Sequence, residues 1–256
     1  MAQLKARVGT EWVVPSNIKA WDGSQWIPER MGRVRVGAEW LEIMRYAFQR
    51  LFSADTNVDK YYELNIETLT VINESAGVSP GGMGGIEERV FAGRTGSSTD
   101  YFYELNPDSL AVIQGGSYAG NPSGAGGTSA RLFKCEDVSG EEKNHELNPE
   151  TLAKIHSVSS QSTAPSGIGG MLLRLFACDK SADKNYELNL DTLGIINSLS
   201  SQAGYPAGIG GVNDQLFAAD SSTENLYELN PDSLVVIRTV TAPSTYTTGI
   251  GGTKVS

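Results

Sequence analysis

The sequence predicts an all-β chain: a five-bladed β-propeller with four-stranded blades and strand-exchange ring closure, preceded by a small β-hairpin repeat module. Two markers carry the propeller. Gly-Gly pairs starting at Gly84, Gly126, Gly169, Gly210 and Gly251 are separated by 42, 43, 41 and 41 residues. The phrase Glu-Leu-Asn starts at Glu63, Glu104, Glu146, Glu187 and Glu228, with steps of 41, 42, 41 and 41. Two independent words sharing one period near 40, with several short strands per period, are the signature of propeller blades. A third observation sets residues 1–48 apart: they hold all four tryptophans and keep a shorter rhythm of their own.

In that first segment Trp12, Trp26 and Trp40 are spaced by 14 residues, as are Gly9, Gly23 and Gly37. The aligned copies KARVGTEWV, KAWDGSQWI and RVRVGAEWL each read as a strand, a turn around glycine and a strand opening with tryptophan. Asp22-Gly23 is a strong hairpin signal. Hairpins this small bury little by themselves, so they need one another, a partner chain or a larger particle. Trp12, Trp21, Trp26 and Trp40 are therefore the candidates for assembly contacts. Residues 41–49 read as a connecting strand or short helix into the first blade.

From residue 49 to 256 each blade reads as an antiparallel meander. GIGG and its equivalents form strand A. Glycine weakens a strand unless another backbone must come close, which suits the crowded axis of a propeller. Strand B is the apolar run RLFSAD, RVFAGR, RLFKCE, RLFACD or QLFAAD, followed by a polar hairpin loop. Strand C is Tyr186-Glu-Leu-Asn and its equivalents. Pro107, Pro149 and Pro231 directly follow the asparagine, which suits a type I turn, and strand D follows as in Leu234-Val-Val-Ile237. The chain enters the ring at strand B and ends on a lone strand A, so that last strand pairs with the first strand B and closes the ring without a free inner edge.

Composition limits the function. The chain has 256 residues and a formal net charge of −10, which disfavours nucleic acid and anionic membranes as partners, since both call for clustered Lys and Arg. No stretch approaches the ~20 apolar residues of a membrane span, and the N-terminus lacks the apolar core of a signal peptide. The expectation is a protein made in the cytoplasm, reaching the exterior by lysis or a non-classical route. Cys135 and Cys178 occupy a slot filled elsewhere by Ala54, Gly93 and Ala219, so both are expected as buried free thiols. His145 stands where the other blades have tyrosine. His156 stands in a slot held by Asn73, Gln114, Asn197 and Arg238 and reads as surface filler.

No Ser–His–Asp set, no phosphate loop and no isolated carboxylate pair of glycosidase type stands out, so no enzyme, metal or cofactor is expected. The Glu of Glu-Leu-Asn occurs in every blade and is structural first. Acidic loops such as Asp55–Asp59, Asp179–Asp183 and Asp220–Glu224 have a faintly calcium-like spacing, but they lack the glycine and the terminal bidentate glutamate and suit Asx turns. Binding is expected where blades differ, in the D-to-A connections. Tyr118, Tyr205 and Tyr246 fall there, as do Asn121, Gln161 and Gln202. They are the candidates for contact with a glycan or a protein surface.

The words IKAWDGSQW and VRVGAEWL resemble the short Trp-Gly hairpin modules of virion proteins, especially tail and fibre proteins, of tailed bacteriophages. YELNPDSL and GIGG resemble propeller repeats met in phage and bacterial surface proteins. The resemblance implies a non-enzymatic virion structural protein, a fibre, tail-tip or capsid-decoration component. Residues 1–48 would then anchor to other virion proteins, the propeller would be displayed for host contact or shell stabilisation, and several copies would assemble in the particle. A lectin-like carbohydrate-binding propeller is the alternative; it predicts repeated ligand-facing residues.

Overall fold

The computed structural model describes residues 49–254 apart from 78, 95–99, 119, 129 and 139; of residues 1–48 it describes only the backbone of six strands. The chain divides between residues 48 and 49 into two compact units.

The first unit contains three two-stranded antiparallel hairpins: β1 (Ala6–Val8) with β2 (Glu11–Val13), β3 (Lys19–Trp21) with β4 (Trp26–Pro28), and β5 (Met31–Val36) with β6 (Glu39–Arg45). Trp12 lies opposite Arg7, Trp26 opposite Trp21 and Trp40 opposite Arg35 in backbone register. Residues 41–45 are strand, not helix. The side chains of Trp12, Trp21, Trp26 and Trp40, and the turns at Gly9, Gly23 and Gly37, lie outside the described residues.

The second unit is the five-bladed propeller, each blade an antiparallel sheet of four strands. Blade 1 joins the two ends of the unit: β26 (Thr247–Lys254), β7 (Gln49–Asp55), β8 (Lys60–Leu64) and β9 (Val71–Ala76). Blade 2 is β10 (Pro80–Ile86) to β13 (Val112–Tyr118), and blade 3 is β14 (Pro122–Gly127) to β17 (Lys154–Ser159). Blade 4 is β18 (Pro165–Met171) to β21 (Ile195–Ser200), and blade 5 is β22 (Pro206–Val212) to β25 (Val236–Thr241). The closure expected from the offset repeats is present, with Thr247 opposite Asp55 and Lys254 opposite Gln49.

Glycine builds the axis. A Cβ on Gly84 would lie 2.8 Å from the Cα of Gly126, and the same approach runs to Gly169, Gly210, Gly251 and back to Gly84 at 2.8–3.0 Å. Gly82, Gly124, Gly167, Gly208 and Gly249 form a second such ring at 2.6–2.8 Å. These glycines serve close backbone approach, since none has a positive φ. Strand B is covered on both faces by neighbouring blades, which is why it reads as a continuous apolar run rather than an alternating one. Phe52, Phe91, Phe133, Phe176 and Phe217 are all fully buried there. Cys135 and Cys178 are buried free thiols, and burial pushes the Cys135 thiol up to about 12. Strand D is the outer edge and exposes Ile72, Ile113, Ile155, Ile196 and Ile237.

The C–D turn departs from expectation. In blade 1 Asn65 Oδ1 accepts from the amides of Glu67 and Thr68, each at 2.9 Å. Leu69 N donates to Asn65 O, and Asn65 N to Thr70 O. The turn is thus one residue longer than a type I β-turn, and its last residue is left-handed: Leu69, Leu110, Leu152, Leu193 and Leu234 have φ of 54–58°. A leucine in that region costs about 1–2 kcal/mol, offset because all five are buried core residues. Strand D therefore begins after this leucine, at Val236 rather than Leu234 in blade 5. The D-to-A connections shorten accordingly to residues 77–79, 119–121, 160–164, 201–205 and 242–246. The acidic B–C loops fold as Asx turns. Asp179 Oδ1, for example, accepts from Ser181 N and Ala182 N at 2.8 and 2.9 Å, and its Oδ2 from Ala164 N.

The repeated glutamates lock blade to blade. Arg50 grips Glu63 with two bonds of 2.6 and 2.7 Å and reaches Asp108 and Pro107 O of blade 2. Arg89, Arg131 and Arg174 repeat the grip on Glu104, Glu146 and Glu187, each extending to an acidic turn residue of the next blade. In blade 5 strand B offers Gln215 instead. Arg238 on strand D takes over, pairing with Glu228 at 2.7 Å and donating to the carbonyls of Ile66 and Glu67 in blade 1. The slot shared by His156 and Arg238 is thus not uniform surface filler: His156 is exposed, but Gln114 also binds its glutamate, at 2.7 Å.

Candidate functional site

The D-to-A connections and the B–C loops meet on one face, as Gly77 N donating to Asp59 O and Ala242 N to Glu224 O show. There the axis widens into a mouth of ≈ 210 Å³. Two sets of equivalent positions make its wall. One is the residue after strand B: Thr56, Asp137, Lys180 and Ser221. The other is the residue entering strand A: Tyr246, Asn121 and Tyr205 line the mouth, and Ala164 holds the equivalent position in blade 4. Each residue of the first set donates its backbone N–H to the carbonyl of its counterpart in the second. One hydrogen-bonded frame therefore carries different side chains around the ring.

The second residue of strand A forms the floor. Ser123 Oγ donates to Pro165 O at 2.6 Å, Ser166 Oγ to Pro206 O at 2.5 Å and Thr248 Oγ1 to Pro80 O at 3.0 Å, each bond crossing to the next blade. These hydroxyls retain acceptor lone pairs. Lys180 Nζ lies 2.7 Å from Asp137 Oδ2, joining blades 4 and 3 across the mouth. Burial pulls the Lys180 ammonium down, but the hydrogen bond and charge of Asp137 outweigh it and hold it above its ordinary value. Tyr205 and Tyr246 are 45% and 46% exposed, and both line the cavity. Asn121 also lines it, and its buried Oδ1 has no hydrogen-bond partner among the described residues.

Of the residues expected from sequence, the structure gathers Tyr205, Tyr246 and Asn121. Gln161 and Gln202 are turned away: Asn144 Nδ2 donates to Gln161 Oε1 at 2.9 Å, and Asn185 Nδ2 to Gln202 Oε1 at 3.1 Å. Gln161 also donates to Leu193 O of blade 4, so it pins two blades. Tyr118 belongs to strand β13, its backbone opposite Asp100, not to a loop; its side chain lies outside the described residues. Sequence reasoning missed Lys180 and Asp137. The signal was available, because the position after strand B holds Asp137 and Lys180 in adjacent blades where blades 1 and 5 hold Thr56 and Ser221.

Blade 3 carries a second polar group, beneath the wall. Lys134, Glu136 and His145 stand where other blades have Ala or Ser, Asp or Arg, and Tyr, and all are buried. Lys134 Nζ pairs with Glu136, His145 Nε2 lies 2.8 Å from the same carboxylate, and Lys154 Nζ lies at 3.2 Å. Burial pushes Lys134 down to about 8. Burial also pushes the Glu136 carboxyl up, but hydrogen bonds from His145 and Lys134 reverse this and bring it to about 2. His145 is lowered by burial against the pull of Glu136. This cluster packs under Gly120 and does not line the mouth.

No protein family and no curated protein matches this sequence. Solved structures do match its fold. A glutaminyl cyclase from Myxococcus xanthus superposes with a TM-score of 0.53 at 10% identity, covering 77% of this chain and 76% of the other. A chain of a nidogen/laminin complex gives 0.52 at 14%, covering 80% and 98%. A protein of unknown function from Bacteroides caccae gives 0.50 at 11%, covering 80% and 98%. At these identities the likeness is one of fold.

Proposed function

We propose that this chain is a non-enzymatic structural protein of a tailed-bacteriophage particle, a fibre, tail-tip or capsid-decoration component. In this reading residues 1–48 attach it, in several copies, to other virion proteins, and the propeller mouth contacts the host surface. The observation that carries it is the non-uniform mouth: a wall whose backbone bonding repeats while its side chains do not. A uniform scaffold with one varied surface is the arrangement of a recognition module. Gln49, the first residue of the propeller unit, pairs with Lys254 at the end of the ring lined by Gly252 and Thr253, opposite the mouth.

The test uses the full chain in purified particles. Replacing Trp12, Trp26 and Trp40 together by alanine is expected to remove the protein from particles, as read by mass spectrometry. Tyr205→Ala with Tyr246→Ala is expected to leave incorporation intact and lower host adsorption. Normal incorporation of the tryptophan variant sinks the anchoring role. The alternative, a lectin with a site in every blade, is favoured by the hydroxyl-rich floor but opposed by a wall that changes from blade to blade.

A further inference from the structure

We infer that the mouth holds a single neutral sugar ring, one per propeller, with Asp137 and Lys180 as its polar anchor and Tyr205 and Tyr246 as its apolar platform. The inference rests on the reading of the mouth as the host-contact face and names what it would recognise there.

Size is the first argument. At ≈ 210 Å³ the mouth is smaller than the ~300–1,000 Å³ of sites that enclose drug-sized ligands, so it suits one ring and not a chain of them. Chemistry is the second. Asp137 offers acceptors and Lys180 donors 2.7 Å apart, a pairing that matches two adjacent hydroxyls, one donating and one accepting. Asn121 Oδ1, without a partner among the described residues, adds an acceptor for a third. Tyr205 and Tyr246 supply half-exposed rings from blades 5 and 1, and aromatic faces with a polar tip suit a ligand that is apolar on one side and wet on the other.

Charge is the third argument. Among the described residues Lys180 is the ammonium that the mouth presents, and Asp137 already neutralises it. The chain as a whole carries 30 Asp and Glu against 20 Lys and Arg. An anionic ligand would have to displace Asp137 from Lys180, against the field of the protein. A neutral polyol can add its hydroxyls to the pair without breaking it. Occupancy is the fourth. Asp137, Lys180, Tyr205 and Tyr246 come from four successive blades, and no rotation of the ring reproduces them, so one site exists rather than five.

The experiment is calorimetric and ligand-observed NMR titration of the full chain. The neutral probes are glucose, galactose, mannose and N-acetylglucosamine; the anionic probes are N-acetylneuraminic acid and inorganic phosphate. At least one neutral sugar is expected to bind with a stoichiometry of one. Tyr246→Ala is expected to weaken it roughly three- to tenfold, the size of one aromatic contact. Asp137→Asn should weaken the sugar and, by freeing Lys180, raise the affinity for phosphate. Ile72→Ser on the outer rim should change nothing, and unaltered circular dichroism melts would show that the variants fold. The inference is overturned by a lack of neutral-sugar binding, by five sugars per chain, by wild-type preference for the anions, or by indifference to both mouth variants. Host adsorption separates the two levels. Mouth variants that lose adsorption while no sugar binds would remove the inference and keep the contact face. Sugar binding with normal adsorption of mouth variants would keep the inference and remove the contact face.

Discussion

Lys134, Glu136 and His145 break the repeat in one blade and show how a single-residue difference propagates. Their counterparts in blade 4 are Ala177, Asp179 and Tyr186. A buried ion cluster gives less net stability than its contacts suggest, because each charge must be desolvated. Replacing all three by apolar residues of similar volume (Lys134→Met, Glu136→Leu, His145→Tyr) is therefore expected to stabilise the protein by about 1–4 kcal/mol, whereas Lys134→Ala alone should destabilise it by about 3–5 kcal/mol; chemical denaturation distinguishes the two. The pH response has a definite sign. His145 and Glu136 both have folded-state values below their unfolded ones, so the unfolded chain binds protons first and stability falls with falling pH. The His145 contribution is complete above its ordinary value of 6.5 and declines below it. That of Glu136 is complete above 4.5 and is lost toward about 2. A pH series of denaturation midpoints should show the upper limb vanish in His145→Tyr. None of this was legible in the sequence, since a Lys two residues before a Glu in a strand reads equally well as a solvated face. Only the closeness of blade 2 makes it interior.

At the scale of elements the strands divide by how far their constraints are local. Strand A was legible because its glycines answer a requirement repeated five times. A Cβ on Gly169 would meet Ile209 O at 2.5 Å and Gly210 Cα at 2.9 Å. Gly169→Ala is expected to cost about 1–3 kcal/mol by overpacking, while Gly204→Ala, with nothing within 4 Å, should be neutral or slightly stabilising; paired thermal melts check both. The boundary of strand D was not legible. Leu234 looks like the first residue of an apolar strand, but the Asn230 side chain, bonding Asp232 N and Ser233 N, and the backbone bond from Leu234 N to Asn230 O hold a longer turn in which Leu234 is buried. The mouth was half legible for a related reason. Tyr205 and Tyr246 stand out by type, whereas Asp137 and Lys180 gain meaning only when two blades bring them within bonding distance. The movement of the arginine from strand B to strand D in blade 5 is likewise visible only once Glu228 is seen to need a partner.

At the scale of the whole molecule the ring is a closed circuit of equivalent seams, and the seam at blade 1 is the one made by the two ends of the unit. Deleting residues 247–256 removes β26, exposes the inner edge of β7 and takes Gly249 and Gly251 out of both glycine rings. The expected result is loss of the cooperative thermal transition, read by circular dichroism, with recovery when a peptide of residues 247–254 is supplied; an unchanged transition would show that the seam is dispensable. The blade count and this closure followed from the sequence alone, because the repeat begins at strand B and ends at strand A. The same seam also governs how the propeller bears load. β7 lies between β26 and β8, so a tension applied at residue 49 is resisted by two ladders in shear at once. A pull on the C-terminus meets a different geometry, since β26 is the innermost strand and shares a backbone ladder with β7 alone. A ring tethered through residue 49 thus takes force on its stronger end, and single-molecule pulling from the two ends would give two different rupture forces.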